Sequence, residues 1–184
     1  MDLKFDFIKG SFFANAWRDA SQHVKIYLVD DDSFRLSFRT YLLNRTYEIV
    51  ELYKEKQFSF DEHFQLITDF FNEVNTLFNG KINFSYGCSQ KLINVLLKYY
   101  WCANMLNGKE PAHMPIDSYI LNALNIKDVC WTKMDFETYK DCIKVAKFIA
   151  EKAGKSLSEW ELITFKEIME KSEVSYDRPL IQRH

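Results

Sequence analysis

Between Phe60 and Phe78 an apolar series recurs at Phe60, Phe64, Ile67, Phe71, Val74 and Phe78. Spacings of three and four residues put such a series on one side of an α-helix, whereas a strand would scatter it over both faces. Ser59 and Glu62 stand ahead of the run as S-x-x-E, the spacing at which the serine oxygen takes the N3 amide and the glutamate takes the serine amide. Gly80 supplies the stop. The same recurrence governs most of the chain, and a chain built from apolar stripes of this period buries them by packing helix on helix.

Ser11 is placed to cap a short helix carrying Phe12, Phe13, Ala16, Trp17 and Ala20. Val24 to Val29 alternates weakly, as a short strand would. Asp30 to Ser33 offers N-caps for a helix bearing Phe34, Phe38, Tyr41, Leu42, Ile49 and Leu52. Ser89 is placed to cap a helix with Leu92, Leu96, Tyr99, Tyr100 and Ala103 that ends near Asn107 and Gly108. After the loop Lys109 to Met114, a short helix begins at Pro115, Ile116 and Asp117 and carries Ile120, Leu121 and Leu124. Asp135 caps a helix through Phe136, Tyr139, Ile143, Ala146 and Ile149, closed by Gly154. Ser158 with Glu161 forms a second capping box for the last helix. The expected fold is all-α: an orthogonal, bundle-like domain of about seven helices over residues 1–173, followed by a polar, mobile tail at 174–184.

A chain of 184 residues is long enough to build its own core, and 47% hydrophobic residues with five Gly and three Pro exclude a disordered composition. Cys88, Cys102, Cys130 and Cys142 form no CxxC pair and no cluster with His, so the sequence indicates neither a zinc site nor a disulfide framework. Free thiols, no apolar run of membrane-spanning length and a start without the order of a secretory signal point to a cytoplasmic protein away from the membrane. A formal net charge of -2 argues against non-specific coating of nucleic acid. The charge is uneven: Glu48 to Asn79 holds seven acidic residues against two lysines, whereas Lys81 to Lys133 holds six lysines against Glu110, Asp117 and Asp128.

Within that basic stretch, Lys91 and Asp117 are the candidate catalytic pair. A lysine in the first turn of a helix opposes the partial positive charge of the unpaired amides, which disfavours its cation and leaves a better nucleophile. Asp117, at the head of the next helix, is placed to face the same cleft. Each has a plainer reading: Asp117 as an N-cap, Lys91 as a solvated lysine. His113 could act as an acid or base, or be a structural loop residue. Tyr99, Tyr100 and Trp101 could stack on a base, yet three consecutive aromatics on a helix point in different directions, so at least one belongs to the core. There is no phosphate-binding glycine loop, no G-x-S-x-G elbow, no metal-ligand spacing and no sign of a cofactor.

Gly87-Cys88-Ser89-Gln90-Lys91-Leu92-Ile93-Asn94, followed by His113-Met114-Pro115-Ile116-Asp117-Ser118-Tyr119-Ile120-Leu121, resembles the helix-hairpin-helix DNA glycosylase superfamily, in particular its compact 8-oxoguanine glycosylase/AP-lyase members. In those proteins a glycine-bearing turn leads to a lysine and a helix, then a loop into an aspartate heading another helix. Tyr139 to Ala150 and Leu157 to Lys166, with Trp160 and Glu161, resemble the helical pair that closes the compact members, so the likeness covers about half the chain. It implies a reaction on a flipped-out nucleotide of double-stranded DNA. Lys91 would attack the sugar C1′ to form a Schiff base, and Asp117 would activate it or stabilise the oxocarbenium charge. The implied DNA-binding set is Gly87, Ser89, Gln90, Lys98, Trp101 and His113, with the Gly87 to Gln90 turn offering amides to a phosphate.

Three functional classes follow. One is a DNA glycosylase or lyase. A second is a non-catalytic helical module that binds protein or nucleic acid, of the kind that serves a bacterial or phage conflict system. The third is a structural domain that forms a homodimer.

Overall fold

The computed structural model describes residues 3–176, and it is all-helical. In chain order the elements are α1 (Leu3–Ser21), α2 (Asp32–Glu55), α3 (Phe60–Leu77), α4 (Tyr86–Cys102), α5 (Ser118–Ala123), a 3-10 turn at Trp131–Lys133, α6 (Phe136–Lys152) and α7 (Leu157–Tyr176).

Several caps are those the sequence indicates. Asp31 accepts from the amides of Ser33 and Phe34 at the head of α2. Ser59 and Glu62 form the full reciprocal box ahead of α3. Asp117 and Asp135 cap α5 and α6 through Ile120 N and Thr138 N. Gly80 and Gly154, at φ +73° and +66°, turn the chain after α3 and α6.

Elsewhere the structure differs from what the spacing indicates. Helix α1 does not begin at Ser11. It runs two turns further towards the N-terminus, through Gly10, because Phe5 packs edge-on against Tyr47 of α2 at 6.0 Å and Lys9 lies 3.6 Å from the same ring centroid. The segment Val24 to Val29 forms no strand: its pairing stops at one isolated antiparallel bridge, Tyr27 with Ile82, closed by Leu28 N donating to the Lys81 carbonyl at 3.0 Å and Asn83 N to the Ile26 carbonyl at 2.7 Å. Helix α4 is capped by Ser85, not Ser89, and it stops at Ala103 with Asn104 left-handed at φ 57°. The last capping box is Ser156 with Glu159, reciprocal at 3.1 Å each way. The same S-x-x-E spacing recurs two residues later at Ser158 and Glu161, but those side chains are buried and committed elsewhere. Helix α7 continues through Tyr176, so the tail expected from 174 starts inside it, and 177–184 lie outside the described residues.

Helix α4 is the axis of the molecule. Every residue from Tyr86 to Leu97 is buried. Helix α1 lies along it, and Ala16 and Ala20, both fully buried, allow the two backbones to approach closely. Helices α2 and α3 close two further sides. Around Phe38 the core is aromatic: Trp17, Tyr27, Phe34, Phe78 and Phe84 have ring centroids 4.9–6.3 Å from it or from one another, mostly edge to face. Each such side chain removed from water contributes about 1.5–3 kcal/mol, and each edge-to-face pair adds about 1 kcal/mol.

Candidate functional site

A helix buried on every side has no solvent face, so its polar residues must find partners inside. Helix α4 carries Ser89, Gln90, Lys91 and Asn94 among its buried residues, with Lys98 one turn on and half-buried. Gly87 sits in its first turn, where its N–H donates to the Met134 carbonyl at 3.2 Å. A Cβ on Gly87 would lie 1.8 Å from the Trp131 carbonyl oxygen. This glycine therefore seats the 3-10 turn on α4. Ser89 donates its hydroxyl to the Ser85 carbonyl at 3.1 Å, and Gln90 is fully buried against the loop ahead of α5. The turn of free amides implied by the resemblance for Gly87, Ser89 and Gln90 is thus a buried helix start, and a duplex backbone does not reach it in this conformation.

Lys91 and Asp117, 26 residues apart, are brought into direct contact: the Lys91 Nζ donates to Asp117 Oδ2. Their side chains are 9% and 14% exposed. The other oxygen of Asp117 accepts from Ile120 N at 3.0 Å, so one carboxylate both caps α5 and holds the lysine. Because α4 begins at Tyr86, Lys91 lies in its second turn, beyond the strongest influence of the helix start. The Trp131 ring lies over Lys91, its centroid 5.7 Å from Nζ. The clefts lined by Phe60, Pro111 and Lys147, by Phe64 and Phe136, by Arg45 and Phe58, and by Trp17 and Lys25 include neither residue of the pair.

A second ion pair stands on the same face of α4, two turns along. Lys98 donates to Glu161 Oε1 at 2.8 Å, with side-chain exposures of 16% and 2%. Glu161 Oε2 has no partner among the described residues. Burial pushes the Glu161 carboxyl up; Lys98 pulls it down, Asp117 raises it and Lys91 lowers it, so the four charged groups share one field. Lys98 is therefore committed within the fold and is not a free phosphate contact.

His113 is 1% exposed and does not face Lys91. Its Nδ1 lies 3.1 Å from the Tyr139 hydroxyl and its ring 4.4 Å from that of His63. Burial, then His63, holds it well below the usual histidine range, and its Nε2 has no hydrogen-bond partner among the described residues. Tyr100 is core, Tyr99 stacks on Phe12 at 5.5 Å, and Trp101 is half-buried against the core.

Folding thus brings Lys91 to Asp117, whereas His113 is engaged with Tyr139 and His63 and Trp101 packs against the core. The residues that sequence reading passes over are Trp131, whose ring lies over Lys91 Nζ, Glu161 as the pair's charged neighbour, and the buried partners of Gln90. One signal for them was available. Gln90 and Asn94, four apart, and Lys91 and Lys98, seven apart, are polar residues at fixed helical intervals on a helix that is otherwise apolar.

No protein-family model, no curated protein and no solved structure matches the chain. Its chemistry has to be argued from these side chains.

Proposed function

We propose that this chain is a DNA glycosylase/AP-lyase-like protein, acting in the cytoplasm on a flipped-out nucleotide of double-stranded DNA through a Lys91 Schiff base. The observation that carries the reading is the contact between Lys91 and Asp117 in a water-poor site at the head of α5. An amine held against a carboxylate has a proton acceptor in place. Asp117 takes the proton from Nζ, and the free amine attacks the sugar C1′ as the bond from C1′ to the base breaks; Asp117 passes the proton to the departing base and, ionised again, faces the positive charge on the sugar. The attached amine then loses a proton as the C1′–O4′ bond opens and O4′ takes one up, which leaves the Schiff base. In this reading the buried Trp131 ring has to move for a nucleotide to reach Nζ, and the indole face is then a surface on which its base can stack.

Borohydride reduction tests this. Duplexes carrying an abasic site or a panel of oxidised bases should give a covalent adduct whose peptide mass maps to Lys91. Lys91→Ala should abolish it, and Asp117→Asn should slow it by about 10²-fold or more. No adduct with any lesion would remove the enzyme reading.

The burial of Gly87, Ser89, Gln90 and His113 favours a second reading, a non-catalytic binding module in which Lys91–Asp117 and Lys98–Glu161 fasten α4 to α5 and α7. In that case Lys91→Ala leaves partner binding intact, while charge reversal of the exposed lysines between Lys81 and Lys133 abolishes it.

A further inference from the structure

Asp117 reaches Lys91 at the end of a stretch, from Asn104 to Asp117, that contains no helix and no strand. Much of it is nevertheless buried, and a buried backbone must have its amides and carbonyls satisfied by something. Here side chains from α2, α4 and α7 and from the connection between α2 and α3 do it. Gln57 brackets Glu110, donating to its carbonyl at 2.7 Å and accepting from its amide at 3.0 Å. Ser158 donates to the Pro111 carbonyl at 3.1 Å. The Ala112 amide donates to the Tyr53 hydroxyl at 3.4 Å. Gln90 clasps the Ile116 peptide from both sides, its Nε2 donating to the carbonyl at 2.7 Å and its Oε1 accepting from the amide at 3.1 Å.

The last two contacts are joined through the interior. Because the Ile116 amide fixes Gln90 Oε1 as an acceptor, the Asn94 Nδ2 that approaches it at 3.4 Å must be a donor, as it is to the Tyr139 hydroxyl at 2.9 Å. Asn94 Oδ1 then accepts from His63 Nε2 at 2.8 Å, which leaves His63 Nδ1 to accept from the Tyr53 hydroxyl at 2.5 Å. The chain of hydrogen bonds leaves the loop at Ala112, crosses α2, α3 and α4, and returns to it at Ile116, and each donor and acceptor is determined by its neighbour.

We propose that Gln90 is the positioning residue for Asp117. By holding the peptide immediately before it in one orientation, Gln90 fixes where the Asp117 carboxylate meets Lys91, and Asn94 with His63 holds Gln90 in turn. For its effect on reaction this rests on the function proposed above; the placement of Asp117 can be read without it. The Ile120 amide, capped by Asp117 Oδ1, reports that placement, and the Thr138 amide, capped in the same way by Asp135, is the internal control.

Gln90→Met keeps the length of the side chain and removes the clasp. Hydrogen exchange at Ile120 should become about tenfold faster relative to Thr138. At saturating abasic duplex the rate of borohydride trapping should fall about tenfold while the Kd for the duplex stays the same. Equal acceleration at Ile120 and Thr138, or none at either, would overturn the proposal, because a residue that only stabilises the fold moves both amides together. If Gln90→Met does not fold, Asn94→Ala tests the chain one link back and should change the same ratio in the same direction. A wild-type protein that traps nothing fails as a lyase, and the exchange ratio then decides the positioning role alone.

Discussion

Helices α3 and α4 pack against each other and are almost the same length, yet they obey different rules. Helix α3 has one buried stripe, Phe64, Ile67, Phe70 and Val74, with a polar face in water and a capping box at its head. Its residue types declare their places. Helix α4 has no outside from Tyr86 to Leu97, so a glutamine, an asparagine and a lysine that would read as surface residues on α3 are interior fittings there. The two meet at His63, the polar member of the buried face of α3, whose partner is Asn94 of α4. Polarity in sequence marks exposure only when a helix has an exposed side to offer.

The sharpest way to break this contrast is at glycine. In an ordinary helix interior Gly→Ala stabilises by up to about 1 kcal/mol. Gly10 of α1 has nothing within 4 Å of an added Cβ, and Gly10→Ala should follow that rule. Gly87→Ala should do the opposite, because its Cβ would overlap the Trp131 backbone, which cannot turn aside as a side chain can. A cost of roughly 4 kcal/mol is expected, lowering the thermal midpoint by about 10 °C or more. If the two glycines respond alike, the seating of the 3-10 turn on α4 is wrong.

Acid should separate the interior network from the surface caps. Burial lowers His63 to about 4 against an ordinary value of 6.5, with the Asn94 bond a smaller opposing influence, and His113 is lowered in the same direction. Between those two pH values the unfolded chain binds more protons than the folded one, so stability rises with pH and falls on acidification. His63 alone removes about 2 kcal/mol from pH 7 to 5 and about 3 kcal/mol by pH 4. The α3 cap acts lower down: Glu62 is held at about 2, chiefly by the Ser59 amide, so its contribution is complete above 4.5 and is lost as pH falls towards 2. Urea midpoints measured at pH 7, 6 and 5 should decline before the carboxylates titrate. A flat profile down to pH 5 would mean that His63 is not sealed.

How legible each part was in the sequence follows from the same distinction. Periods and caps are local, and α2, α3, α5 and α6 were readable from Asp31, Ser59, Asp117 and Asp135 because a cap and its amide lie within three residues. The starts of α1 and α4 were not, since Tyr47 extends one and Ser85 caps the other ahead of the serine that spacing favours. Of the site, Lys91 and Asp117 were both named and do meet. Their surroundings were not legible, because the ring over Nζ and the neighbouring charge come from Trp131 and Glu161, which lie 40 and 70 residues beyond Lys91, a separation that periodicity cannot bridge. The resemblance places Gln90 in a DNA-binding turn for the same reason: its partner in the fold, the Ile116 backbone, leaves no trace in residue types.

The smallest effect tests which serine starts α4. Ser59 and Ser85 each accept an amide from three residues on, Glu62 N at 3.2 Å and Cys88 N at 3.1 Å, so Ser59→Ala and Ser85→Ala should each cost about 1 kcal/mol. Ser89 makes no such contact. Its hydroxyl donates back to the Ser85 carbonyl, which already receives the Ser89 amide at 3.1 Å, so Ser89→Ala strips one partner from an acceptor that keeps another. Its cost should stay below about 0.5 kcal/mol, despite complete burial, because alanine fills most of the space and orphans no donor. Chemical denaturation of the three variants under one set of conditions orders them. A Ser89→Ala penalty equal to that of Ser85→Ala would move the head of α4 to Ser89, return Gly87 to a turn outside the helix, and reopen the phosphate-facing geometry that the buried start now closes.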